Sequence, residues 1–157
     1  MRLVSSAFQA GEAIPTRFTC EGENISPELS WTEAPKETKS FALIVHDPDA
    51  PRANGFVHWL LYQIPGNVTH IPEIVSQQPS IKNLGVQGKN DGGKIGYMGP
   101  CPPSGTHRYF FYLYSLNGEL DLQPGASHDE VIAAIRGKII EQTELVGLYT
   151  KGAKQVA

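Results

Sequence analysis

Three apolar runs, each cut off by a turn dipeptide, constrain this chain most. Ser40-Phe41-Ala42-Leu43-Ile44-Val45-His46 is closed by Asp47-Pro48, Phe56 to Ile64 by Pro65-Gly66, and Tyr109 to Leu116 by Asn117-Gly118. Runs this short, rich in β-branched and aromatic residues, are strands rather than helices. Leu3 to Phe8, Leu29 to Thr32 and Leu145 to Thr150 are weaker strand candidates. One helix is expected late in the chain. Ser127 and Glu130 fit a capping box, and Val131, Ile132, Ile135, Ile139 and Ile140 follow as one apolar stripe. Short strands separated by turns, with one helix, predict a mainly β chain: an antiparallel sandwich with the helix packed on it.

The size suits one domain over residues 1–157. With 13 basic and 16 acidic residues the net charge is −3, and no run of like charge offers a basic stripe for nucleic acid. The opening MRLVSSAFQAGEAIP has no continuous apolar stretch and does not read as a signal peptide. No apolar run approaches the ~20 residues needed to span a membrane. Cys20 and Cys101, far apart in sequence, are not expected to form a disulfide framework. A cytoplasmic location is therefore expected.

The polar residues that could carry chemistry cluster at strand ends. Pro100, Pro102 and Pro103 stiffen a loop that feeds directly into the strand holding His107 and Tyr109. Two residues apart, those side chains share a face. Asp47 ends a buried strand and needs a partner, because an unpaired buried carboxylate is expensive. His58, amid Phe56, Val57 and Trp59, is either a satisfied core histidine or that partner. Asp49, in an Asp-Pro-Asp sequence that is usually just a turn, reads more readily than Asp47 as a plain turn residue. Residues 65 to 106 are rich in Gly, Pro, Asn and Gln with little periodicity, which marks a functional or locally flexible loop.

DPDAP at 47–51, GFVHW at 55–59 and GYMGPCPPSGTHRY at 96–109 resemble the signatures of the phosphatidylethanolamine-binding protein family. FTCEGENISPELSW at 18–31 is similar to the opening of its bacterial branch, that of YbhB and YbcL, related to Raf kinase inhibitor proteins. The resemblance implies a Greek-key sandwich of two antiparallel sheets with a C-terminal helical segment and a small anion pocket at the sheet ends. By that resemblance the ligand-binding residues are Asp47, Asp49, Pro51, His58, Cys101, His107 and Tyr109. It implies an Asp47–His58 hydrogen bond and a cis bond at Ala50-Pro51. The 104–107 loop is shorter than the family pattern, which bears on the pocket mouth.

The implied partner is a small phosphorylated or other anionic ligand. A protein kinase or serine peptidase inhibited through the same surface is the alternative, and bacterial relatives imply a homodimer. No cofactor is implied. An enzyme would need Cys101 or Ser104 as nucleophile with His107 as base, but no G-x-S-x-G elbow is present. A metal would have to gather Asp47, Asp49, His58 and His107, which lack tight ligand spacing such as H-E-x-x-H. A non-enzymatic binding protein is the expectation.

Overall fold

A computed structural model describes residues 1–152. Among the described residues, nine strands form two antiparallel sheets. The smaller is ordered β1 (Arg2–Val4), β2 (Leu29–Thr32), β5 (His70–Ile71). The larger is ordered β6 (Ser80–Ile81), β7 (Gly85–Gln87), β4 (Phe56–Pro65), β3 (Ser40–Asp47), β8 (Thr106–Leu116), β9 (Ile139–Thr150). One helix, α1 (His128–Ile135), lies between β8 and β9. The sandwich and its late helix agree with the sequence expectation.

The unbroken apolar run of β3 is explained by burial on both faces. Phe41, Leu43 and Val45 join Trp31, Trp59, Phe111 and Leu113 in the core shared with the small sheet. The alternate residues Ala42 and Ile44 meet Leu60, Tyr62, Val131 and Ile135 under the helix. The side-chain period of two thus supplies two cores from one strand.

The helix is shorter than its apolar stripe suggests. Its capping box is present: the Glu130 amide donates to Ser127 Oγ at 3.2 Å, and the Ser127 amide donates to Glu130 Oε1 at 3.1 Å. The chain leaves the helix at Arg136 and reverses at Gly137, whose φ of +82° suits glycine. Ile139 and Ile140 therefore open β9, and they are 43% and 37% exposed instead of lying in the core. The end of the stripe belongs to a strand because a left-handed residue intervenes.

Side-chain amides organise the irregular stretch 65–106. The fully buried Gln87 accepts from Trp59 Nε1 at 2.7 Å and donates to the carbonyls of Ser76 and Gln78, both at 2.8 Å. Asn90 accepts from the amides of Gly92 and Lys94 and donates to the Gly96 carbonyl. Each buried backbone group so satisfied removes a penalty that a loop under the surface would otherwise carry.

Candidate functional site

Antiparallel order brings three strand ends together. β3 lies between β4 and β8, so its C-terminal end sits beside the starts of both. Asp47 pairs in register with Phe56, and His46 with Phe110. Asp47, His58, His107 and Tyr109 consequently line one cavity of about 410 Å³. These four are its buried polar side chains, Gly99 and Pro102 are buried with them, and Cys20, Asn24, Pro51, Arg52, Cys101 and Pro103 are its exposed rim. Ala50, Phe56, Met98 and Pro102 make most of the remaining wall apolar.

Asp47 is held by His107, not by His58. Its Oδ2 accepts from His107 Nδ1 at 2.6 Å, and Oδ1 accepts from the Asp49 amide at 2.8 Å. The expected Asp47–His58 bond does not form because the stiffened loop supplies His58 with another acceptor. His58 Nδ1 donates to the Met98 carbonyl at 2.6 Å, and the Met98 amide donates back to the His58 carbonyl at 2.9 Å. Burial pushes the His58 pKa down, against the opposing pull of that carbonyl and the Asp47 charge, so the ring is neutral at physiological pH. His58 is thus both a satisfied histidine and a cavity wall.

Tyr109 is the unfinished element of the site. Its hydroxyl is buried beside the Asp47 carboxylate, and it makes no hydrogen bond of ordinary geometry among the described residues. Burial first, and then the nearby Asp47 charge, push its pKa up, which keeps the proton on. His58 meets the Tyr109 ring edge-on at 5.3 Å between centroids, and His107 stacks over it at 6.4 Å. Buried hydroxyls are normally bonded, so an orphan on a cavity wall marks a place for a ligand atom.

Asp49 is drawn elsewhere. It takes the Arg108 amide and Nε on Oδ2 and Nη2 on Oδ1, each at 2.9 Å, and does not line the cavity. A bidentate guanidinium fork holds the carboxylate at the surface, outside the cavity lining. The hydrogen bond from Arg108 holds its pKa down to about 2, against the weaker effect of burial. Because the folded value lies below the ordinary ~3.9, the pair's contribution is complete above about pH 4 and disappears as pH falls towards 2. In this exposed setting it amounts to at most about 1 kcal/mol. Asp49→Asn should therefore narrow the stability gap between about pH 5 and pH 3 by about half that amount in urea melts. An unchanged gap would contradict the assignment.

Two further sequence expectations are corrected. Cys20 and Cys101 are joined in a disulfide, leaving no free cysteine among the described residues. The two cysteines meet because the 97–103 loop lies against 18–24. Tyr97 donates to the Phe18 carbonyl, the Cys20 amide to the Pro100 carbonyl, and the Gly99 amide to Asn24 Oδ1. Gly99 has no room for a Cβ, which would fall 2.3 Å from both Asn24 Oδ1 and the Phe18 carbonyl oxygen. Cys101 therefore has no thiol to act as a nucleophile. The Ala50-Pro51 bond is trans, no peptide bond among the described residues being cis. The turn is instead closed by the Asp47 carboxylate on the Asp49 amide and by the Arg52 amide on the Ala50 carbonyl.

Arg52 was not legible as a site residue. It stands directly after DPDAP, half exposed, with its guanidinium 5.4 Å from the Phe56 ring centre and Nη1 3.9 Å from Asp91 Oδ2. That position places a cation on the cavity rim. No group of three or more His, Cys, Asp or Glu among the described residues is arranged to hold a metal ion.

The family profile described as "Phosphatidylethanolamine-binding protein" matches residues 4–150. This chain belongs to the phosphatidylethanolamine-binding protein family. Among its relatives is a UPF0098 protein of Methanothermobacter thermautotrophicus, 49% identical over 152 residues, spanning 97% of this chain and all of the relative. The fold matches the crystal structure of the family homologue CT736 from Chlamydia trachomatis with a TM-score of 0.87 at 41% identity, covering 95% and 96% of the two chains. Escherichia coli YbcL, described as a member of the mammalian PEBP family, matches with the same TM-score at 32% identity, covering 95% and 97%. The family's binding-protein fold is thus present, with its strand ends assembled into the cavity above.

Proposed function

We propose that this chain is a non-enzymatic binding protein whose cavity takes the anionic head of a small phosphorylated ligand. The observation that carries the reading is the buried, unpartnered Tyr109 hydroxyl on a cavity wall also lined by two imidazoles. Nδ1 of each ring is engaged within the protein, on Asp47 for His107 and on Met98 for His58, which fixes both rings. Their Nε2 atoms make no hydrogen bond among the described residues and remain for a ligand. Asp47, which would repel an anion, is occupied on both oxygens. Arg52 adds positive charge at the entrance. The family name points to a phosphoethanolamine-like head, and the apolar walls suit the group attached to it. With so few donors, millimolar affinity for the bare head, about −4 kcal/mol, is the expected scale.

Tyr109→Phe tests this directly. Removing an unpartnered buried hydroxyl should leave the melting temperature unchanged or slightly higher. Losing a donor to the ligand should weaken O-phosphorylethanolamine binding about three- to tenfold in an NMR titration. Equal affinities for wild type and variant would remove Tyr109, and the observation that carries the reading, from the account.

A further inference from the structure

The donors and acceptors of the cavity are unevenly matched to a fully ionised anion. His58 gives its only proton, on Nδ1, to a backbone carbonyl, which can only accept. Its Nε2 therefore presents a lone pair. Asp47 adds a carboxylate to the same wall. Against the His58 acceptor and the Asp47 charge, whose oxygens are engaged by His107 and the Asp49 amide, stand the Tyr109 hydroxyl, the His107 ring and Arg52 at the rim. A dianion would leave the His58 acceptor facing negative oxygen, whereas a ligand that brings its own proton satisfies it.

We infer that the cavity binds a phosphate monoester in its protonated, singly charged form, with the P–O–H donating to His58 Nε2 and an apolar ester group against Phe56 and Met98. The inference rests on the anion-cavity reading and adds the protonation state and the ester class. Above the second phosphate pKa of about 6, the ligand must take up one proton on binding. The groups facing His58 do not supply it. Asp47 and His46 on β3 and Asp91 after β7 act on the ring by charge. Tyr109 on β8 packs its ring edge-on to His58, and burial of the imidazole favours the neutral, accepting form.

Phenyl phosphate and phenyl sulfate separate this from simple anion binding, because the sulfate ester is a permanent monoanion with no proton to donate. Both are titrated by calorimetry at about pH 6 and about pH 7.5, where the phosphate is half and almost fully deprotonated. A change in the protein's own charge acts on both ligands, so the ratio of the two affinities isolates the ligand's proton. The expected result at the lower pH is at least tenfold tighter binding of the phosphate, a site with an unpaired buried acceptor rejecting the analogue that lacks the donor. Phosphate affinity should then fall roughly tenfold per pH unit above 6, with about one proton taken up. His58→Phe, which keeps a ring between Phe56 and Tyr109, should bring the ratio near one. A purely structural role for His58 would lower stability and leave the ratio intact. Equal affinities for the two esters in wild type overturn the inference and leave the anion cavity standing. Binding of neither removes both.

Discussion

Asp47→Ala should destabilise the protein by about 3–5 kcal/mol, the cost of breaking a buried pair by deleting one partner. The substitution leaves His107, 7% exposed, with an unpaired Nδ1 and deprives the Asp49 amide of its acceptor. For a chain of this length the melting temperature should fall by roughly 10 °C. His107→Ala should also be costly, because it strands the Asp47 carboxylate, which is only 3% exposed. The sequence alone suggests a histidine at a strand end with few contacts and little effect on stability. The structure reverses that expectation. The double substitution should then cost less than the sum of the two single ones, by about 1–3 kcal/mol. Thermal or urea melts of the four proteins give the coupling directly, and additivity within about 0.5 kcal/mol would contradict the pair.

Reduction of the Cys20–Cys101 disulfide should cost about 2–4 kcal/mol. The bond spans 81 residues of sequence, so its absence restores a long loop's entropy to the unfolded chain. Melting should drop by several degrees or more on adding a dithiol, and Cys20→Ser with Cys101→Ser should reproduce the drop. The reduced protein should still fold. The Tyr97, Gly99 and Cys20 hydrogen bonds between the two rim segments do not depend on the sulfurs. Glu21, next to Cys20, also anchors that segment to β9 by accepting from the Tyr149 hydroxyl at 2.6 Å. Oxidised and reduced forms that melt together would show that the cross-link constrains nothing.

What the sequence made legible is what local chemistry decides. The central strands β3, β4 and β8 are bounded by their turn dipeptides, and the Ser127–Glu130 capping box sets the start of α1. Asp47, His58, His107 and Tyr109 stand at strand ends that antiparallel order must bring together, and they share a cavity. Other features depend on contacts between distant segments. Two imidazoles flank Asp47, and the choice between them rests on where the Met98 carbonyl lies, which no spacing discloses. The disulfide depends on the 97–103 loop packing on 18–24, 81 residues apart at the cysteines. Asp49 reads as a ligand by its place in DPDAP, yet Arg108, exposed beside it, takes both its oxygens. A signal for Gln87 was absent for the same reason, since its partners Trp59, Ser76 and Gln78 converge only in the fold.

The central claim is that the buried strand-end cavity, and no other part of the surface, receives the anion. Nitrogen NMR of protein labelled at histidine reads this most directly, because His58 and His107 line the cavity and His46, His70 and His128 do not. Adding phenyl phosphate should shift the Nε2 signals of His58 and His107 along one saturable curve, leaving the Nδ1 signals near their hydrogen-bonded values and the other three histidines in place. Saturable shifts confined to His46, His70 or His128, with His58 and His107 unmoved, would contradict it.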